Sequence, residues 1–383
     1  MTRFCLIGPT YPYRGGIAHY TTLLARHLAA SHETLLISFS RQYPGWLFPG
    51  RSDRDPSRES LRAPAEYLLD PLNPLSWRRC LQRIDQWDPD VVVIPWWVPF
   101  WAPAWATIGY GVKRMQPPPA LIFICHNVLP HESKPWDVLA LRLALRSADG
   151  FVVHSRANAE ELVRYFPTAG IRVTPLPTYA TLSEVRPATL KLALPVDRPL
   201  LLFTGFVRPY KGLDILLEAM PRILENRPVH LLVAGEFWQS AEPYLDQIQR
   251  LGIGEAVTVE NRYLSNEELA AILDRADVVV LPYRTATQSA IVQLAFGSQK
   301  PVITTDVGGL AEVVEDGRTG LVVPPEDPAA LAAAVIRYFD EDLGPTFQEQ
   351  IEVTGQRFSW QRLERTIMQL VDPGLADEAG TAS

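Results

Sequence analysis

The sequence predicts an α/β protein of two domains, each a parallel β-sheet with helices on both faces. Three observations lead there. A length of 383 residues exceeds what one ordinary core holds and suits two domains of similar size. Short continuous apolar runs rich in β-branched residues alternate with helical stretches, the pattern of strands buried on both faces. The alternation occurs twice, with a proline-bearing irregular stretch over residues 183–199 between the two series.

In the first series the strand-like runs are RFCLIG, ETLLISF, DVVVIP, ALIFIC, GFVVHS and IRVTPL, with helical stretches over 18–29 and 137–146. The second series reads PLLLFTG, HLLVAG, AVTVEN, DVVVLP, PVITT and GLVVP. One of its helices shows its buried face as Leu213, Leu216, Leu217 and Met220 at i, i+3, i+4, i+7. Another opens with Ser265 and Glu268 at capping-box spacing. The boundaries that follow are 1–185 for the first domain and 195–358 for the second. A helix within 359–372 is expected to pack back across the domains, ahead of a disordered tail over 373–383. Two Rossmann-like domains facing a central cleft result, with ligands expected beyond the carboxyl ends of the strands.

Composition narrows the function. With 47% hydrophobic and 21% charged residues the chain is globular. A net charge of −7 argues against a nucleic-acid backbone as main partner, because phosphate binding is driven by lysine and arginine. The amino terminus lacks the apolar region and cleavage site of a signal peptide. Cys5, Cys80 and Cys125 have no metal-ligand spacing, and Cys5 and Cys125 sit in apolar runs as small hydrophobes. A reducing cytoplasm is the expected location. Residues 91–112 carry no charge and are long enough for a membrane span. Pro95, Pro99 and Pro103 count against a spanning helix, so the expectation is a strand over 91–94 followed by an aromatic loop.

Several segments carry chemistry. After the first strand, Gly15 and Gly16 permit positive φ and close backbone approach, and the next helix aims its positive end at an anion. In TGFVRPYKGLD, Arg208 and Lys211 stand at the mouth of the second sheet, where two cations would stabilise a leaving diphosphate. A helix starting near Ser289 would offer the amides of Ser289, Ala290 and Ile291 to phosphate. His126 and Asn127 end the strand ALIFICHN, where a histidine hydrogen-bonds a sugar or a reacting hydroxyl, or merely serves the fold. Asp53 and Asp55 look loosely like metal ligands but read as a solvated turn.

Taken in order, YKGLD, AGE, DVVVLPY and KPVITTDVGGLAEVVEDGRTGLVVP resemble glycosyltransferase family 4, a retaining family with the GT-B fold. The resemblance runs from GGIAHYT to TGLVVPP and implies transfer of a sugar from a nucleotide-diphosphate sugar, with retention at the anomeric carbon. It implies that Gly15 and Gly16 border the donor, that His126 lies beside the transferred sugar, and that Lys211 with Arg208 binds the diphosphate. Glu236 would stand near the nucleotide, Tyr263 near the base, and the Ser289, Ala290 and Ile291 amides on the diphosphate.

Two departures follow from the same comparison. The family's paired glutamates fall at Ala286 and Leu294, which leaves Gln288 or Gln293 as substitutes. Phe206 stands where a phosphate arginine is usual, with Arg208 two residues later. No metal or other cofactor is expected, since cations and helix dipoles can serve the diphosphate.

The acceptor, a glycan, lipid-linked sugar or small molecule, is expected on the first domain near His19, Asn127, Trp96 and Trp97. Trp96, Trp97, Phe100, Trp101 and Trp105 form either a sugar-stacking or lipid-facing surface or an aromatic core. An exposed set would bring peripheral contact with the inner membrane face. The main alternative is a non-catalytic homologue that binds nucleotide or a partner enzyme. An epimerase is the third reading, for which Glu132 and Glu236 are the available carboxylates.

Overall fold

The structure is a computed structural model, and it describes residues 1–45, 50–58, 61–130, 134–179, 185, 187–189, 192, 194–372 and 374. Glu132, most of the 183–193 stretch and the tail beyond 374 lie outside the described residues. The chain divides into two compact units. Unit 1 comprises Met1–Asp55, Ser60–Pro175 and Ser359–Ser383, and unit 2 comprises Pro56–Glu59 and Leu176–Phe358.

Unit 1 holds seven strands: β1 (Arg3–Ile7), β2 (Glu33–Phe39), β3 (Glu66–Leu69), β4 (Val91–Trp96), β5 (Ala120–Cys125), β6 (Gly150–Val153) and β7 (Gly170–Val173). They lie in the order β3-β2-β1-β4-β5-β6-β7 and pair in parallel throughout. The helices are α1 (Gly16–Ala29), α2 (Pro74–Trp87), α3 (Ala102–Val112), α4 (Pro135–Leu145) and α5 (Arg156–Val163). The last helix of the chain, α13 (Trp360–Val371), also belongs to unit 1, packing on α1, β5, β6 and β7. Glu364 of α13 accepts from His27 at 2.6 Å and His32 at 2.9 Å. Leu370 comes so near Gly150 that a methyl there would stand 2.9 Å from its Cδ2.

Two expectations change here. The segment after β4 is not a loop, because a 3₁₀ turn over Pro99–Trp101 leads into α3. Pro103 falls in the first turn of α3, where its missing N–H costs nothing, and Pro95 lies past the part of β4 that pairs with β1. Trp96 and Trp97 are not an acceptor surface either. Trp96, Trp97, Trp101 and Trp105 are buried, and Trp101 stacks on Trp105 with ring centroids 5.4 Å apart. The Trp96 indole donates to Val128 O at 3.0 Å and the Trp97 indole to Tyr43 Oη at 2.9 Å, so the fold uses both polar handles. The aromatic core is the outcome, and it is what a helix-covered parallel sheet requires of so apolar a run. No helix among the described residues is long and apolar enough to cross a membrane.

Unit 2 holds β8 (Leu200–Thr204), β9 (His230–Ala234), β10 (Val257–Glu260), β11 (Val278–Leu281), β12 (Val302–Thr305) and β13 (Gly320–Val323). Their order is β10-β9-β8-β11-β12-β13, again all parallel. Its helices are α6 (Leu213–Asn226), α7 (Glu242–Arg250), α8 (Asn266–Arg275), α9 (Ala290–Gly297), α10 (Leu310–Val313), α11 (Pro328–Asp340) and α12 (Leu343–Thr354). The capping box of α8 forms as its sequence predicts: Ser265 Oγ accepts from Glu268 N, and Glu268 accepts from Ser265 N at 3.0 Å.

Candidate active site

In unit 2 the strand order reverses at β8 and β11, which are neighbours while their successors lead away on opposite sides. The crevice at the carboxyl ends of such a pair is where open parallel sheets bind ligands. The loops leaving these two strands carry the predicted site. Arg284, just past β11, donates from its backbone to Tyr210 O at 2.7 Å and from its side chain to Pro209 O at 2.8 Å. Its guanidinium also forms a forked ion pair with Asp214, at 2.9 and 2.6 Å. Gly212, at φ +67°, lets the chain pass so closely that a methyl there would stand 2.0 Å from Pro282 O. The Arg208–Lys211 loop is thereby fixed against its neighbour.

Lys211 is buried, and its Nζ lies over Gly205 beside the start of α9. A methyl on Gly205 would stand 3.1 Å from both Lys211 Nζ and Ile291 Cδ1. Burial lowers the pKa of this ammonium from its ordinary value, with a smaller push in the same direction from Arg208. Among the described residues neither Lys211 nor Arg208 has a carboxylate within ion-pair distance. Arg208 lies over Tyr210 at 5.2 Å and Trp238 at 5.1 Å. Lys211 Nζ lies 5.3 Å from the Tyr283 ring centroid, and Arg208 is half-buried; these ring contacts supply no counter-charge, which an anion would.

Around them the β8 and β9 loops are stitched together. Gly205 N donates to Ala234 O, Val207 N donates to Glu236 O at 2.9 Å, and a methyl on Gly235 would lie 1.9 Å from Gly205 O. Glu236 is buried here. Tyr263 stands 5.8 Å from the Phe206 ring, and Phe206 lies 4.8 Å from Trp238. Phe206, Trp238 and Tyr263 therefore form an aromatic group, within which the buried Trp238 indole N–H finds no acceptor among the described residues. Trp238 was not a predicted site residue. Nothing in GEFW separates a site tryptophan from a core one.

At the amino end of α9 the expected amide cluster is partly spoken for. Ser289 caps the helix, its Oγ accepting from Ile291 N at 3.3 Å, so the Ile291 amide serves the cap. Ser289 and Ala290 stand at the opening of the helix as predicted. Of the two proposed glutamine substitutes, Gln288 is half-buried beside Gly309, whereas Gln293 is fully enclosed and both its side-chain polar atoms lack partners among the described residues. The donor-contact assignment to Gln293 is corrected: α9 buries five successive residues from Val292 to Phe296, so position 293 faces inward. Leu294 is buried in the same run, and Ala286 lends its backbone to the Gly308 turn, where a methyl would stand 1.6 Å from Ala286 O.

Unit 1 reverses its strand order at β1 and β4. The loop after β1 ends at Gly15, φ +102°, and leads into α1 at Gly16. Residues 53–55 lie antiparallel to this loop, Arg14 N donating to Asp53 O and Asp55 N to Pro12 O. That places the Asp55 carboxylate, only 3% exposed, 3.5 Å from His19 Nε2. The solvated-turn reading of Asp55 is thus overturned, since the β1 loop covers it. Its partner is distant in sequence, and no local pattern could have singled it out.

His126 follows β5 and its N–H donates to Trp96 O at 2.9 Å. Its ring meets Tyr20 of α1 at 4.6 Å and His154 at 5.4 Å. Burial, and then the neighbouring His154, hold its pKa well below the ordinary histidine value. His154, hydrogen-bonded to Thr174 O at 2.9 Å, is itself lowered to about 4 by burial. Near neutral pH His126 is a neutral imidazole, and its Nε2 has no partner among the described residues. Asn127 is half-buried beside it. No group of three or more His, Cys, Asp or Glu among the described residues is arranged to hold a metal ion.

Residues 14–178 match the family described as Glycosyltransferase Family 4, and residues 198–341 match Glycosyl transferases group 1. The chain belongs to glycosyltransferase family 4. Its curated relatives include a D-inositol 3-phosphate glycosyltransferase 1 of Catenulispora acidiphila, 31% identical over 273 residues (66% of this chain, 65% of the relative). Another is a D-inositol 3-phosphate glycosyltransferase of Streptomyces avermitilis, 32% identical over 211 residues (51% of this chain, 45% of the relative). The chain thus spans about half to two thirds of the length of such relatives. Solved structures share the fold. A sucrose-phosphate synthase of Thermosynechococcus elongatus superposes with a TM-score of 0.68 at 20% identity, covering 98% of this chain and 100% of that one. Anabaena HepE in complex with UDP and glucose gives 0.69 at 18% identity, covering 97% and 100%. The family 4 chain therefore has the GT-B architecture expected of it, two Rossmann-like α/β units.

Proposed function

We propose that this chain transfers a sugar from a nucleoside-diphosphate sugar to an acceptor hydroxyl with retention of anomeric configuration. The observation that carries the reading is the pair Arg208 and Lys211, uncompensated by any carboxylate among the described residues, at the β8–β11 switch point beside the start of α9. A diphosphate would satisfy both cations, and the same contacts stabilise it as it departs with the electrons of the anomeric C–O bond. The acceptor hydroxyl attacks the face the diphosphate leaves, and its proton passes to the departing phosphate oxygen. The protein's part is positioning and electrostatic stabilisation. Phe206, Trp238 and Tyr263 offer aromatic faces to the base, with the buried Glu236 near the nucleotide. His126, kept neutral by burial, is suited to hydrogen-bond a sugar hydroxyl and poorly suited to carry charge. No metal ion or other cofactor takes part in this reading.

His19 and Asn127 are the acceptor side of the proposal, in place of the buried tryptophans, and the Gly15–Gly16 loop stays on the donor side. The acceptor is a glycan, a lipid-linked sugar or a small molecule, and the inositol phosphate named for the curated relatives belongs in the trial panel. A cytoplasmic location is part of the same reading, while membrane contact through the tryptophans is not, because they are buried.

The test is thermal stabilisation by nucleoside diphosphates and their sugars, with and without magnesium, the UDP carried by HepE among them. A ligand at about a hundred times its Kd contributes about 2.7 kcal/mol, a rise of about 5–10 °C for a domain of this size. One base giving such a rise without metal supports the reading. No rise with any nucleotide sinks it in favour of a non-catalytic homologue.

A further inference from the structure

In α4 the apolar residues do not stop at the core. Leu141, Ala144 and Leu145 are buried in unit 1. On another face Trp136, Leu139 and Leu143 recur at i, i+3, i+7, and they are 62, 60 and 43% exposed. A surface helix ordinarily turns polar residues outward there, and a helix apolar on both sides has something to cover each.

Among the described residues, the charges around this stripe that lack an ion-pair partner have one sign. Lys134 precedes it, its Nζ 5.2 Å from the Trp136 ring centroid, and Arg142 and Arg146 lie alongside. The helix's own acid, Asp137, is buried and accepts from Lys134 N at 2.8 Å, so it adds no exposed negative charge. The neighbouring α3 packs on α4 and contributes Tyr110, 47% exposed, with Arg114 4.4 Å above its ring. Lys113 is already paired with Asp149 at 2.8 Å. None of Arg114, Lys134, Arg142 and Arg146 has a carboxylate within ion-pair distance among the described residues. Yet the whole chain carries a net charge of −7.

We propose that this face of α4 docks on the surface of an anionic lipid bilayer, with Trp136, Leu139 and Leu143 at the acyl boundary and the basic residues among the headgroup phosphates. A convex ridge with basic flanks suits a laterally uniform negative surface. A second copy fits badly, because two-fold pairing would set arginine against arginine. The inference stands on this surface alone and does not depend on the transfer reading.

Flotation of the full chain tests it, with vesicles of phosphatidylcholine alone and of phosphatidylcholine with about 30% phosphatidylglycerol. Binding about tenfold or more stronger to the anionic vesicles, falling with salt, is expected, since each basic residue at such a surface strengthens binding about fivefold. W136E/L139E/L143E is expected to weaken flotation about tenfold or more at an unchanged melting temperature, and R142E/R146E to remove the preference for anionic lipid. Lys211→Met is expected to float like the parent. A parent chain that stays down with anionic vesicles overturns the proposal, as does a triple variant that still floats. Loss of flotation in Lys211→Met overturns it too, because capture would then run through the donor site. Self-association of the parent in lipid-free buffer that Leu139→Glu abolishes assigns the face to a second copy and has the same effect. A chain inert towards every nucleotide that nonetheless floats leaves this inference standing and removes only the transfer reading.

Discussion

Lys211→Met separates what Lys211 does for binding from what it does for the fold. The ammonium is buried with no carboxylate in reach among the described residues, and burial lowers its pKa, so the protein by itself keeps a charge there at some expense. Methionine keeps much of the length and apolar stem while removing that charge. The melting temperature of the free protein is therefore expected to hold or to rise, by about 2–4 °C for each kcal/mol relieved in a domain of this size. Binding moves the other way. A charge-assisted contact to a phosphate contributes about 1.5–3 kcal/mol, so nucleoside diphosphate affinity is expected to fall about 10- to 150-fold. Differential scanning fluorimetry of the free chain and calorimetric titration with the nucleotide read the two effects separately. A lower melting temperature with unchanged nucleotide affinity would refute the reasoning, since Lys211 would then be a structural group.

Two further outcomes follow from the same geometry. Glu268 is held down to about 2 by the Arg262 guanidinium, outweighing the opposing effect of burial, and by the Ser265 cap. The stability this contributes is complete above the unfolded carboxyl value of about 4.3 and is lost as pH falls towards about 2. With Arg262 partly exposed, Glu268→Gln is expected to cost about 1–2 kcal/mol at neutral pH and progressively less below about pH 4, as urea melts across that range would register. Trp97 is 8% exposed and its indole is bonded inside the fold, so Trp97→Ala is expected to cost about 3–5 kcal/mol in a denaturant melt. Trp97→Phe, once an acceptor is known, should leave its KM unchanged, and a large rise in KM would restore the discarded acceptor role.

What could be read in advance was whatever depends on short range. All six strands of unit 2 appear where continuous apolar runs stand in the sequence, because a strand covered on both faces needs apolar residues on both. The Ser265–Glu268 cap was visible for a similar reason, since it spans a single turn. β3 escaped notice because EYLL, at the edge of its sheet with two half-exposed positions, is too short and too mixed to stand out. α2 had the opposite problem: it is long but buries only Ser76, Cys80 and Ile84.

The sequence by itself determined the two α/β series, their order, and the residue types that make a diphosphate site credible: Arg208, Lys211 and the Ser289 cap. These are set by local propensity, strand burial and loop composition, which a linear chain displays. Only the tertiary structure decided which way side chains face and what meets across distance. It put Trp96, Trp97 and Gln293 inside, laid Lys211 over Gly205 beside Ile291, and brought Asp55 to His19 from far along the chain. The physical reason is that burial and ion pairing depend on what packs opposite, and the packing partner of each of these residues lies on another element of the sheet-and-helix layers.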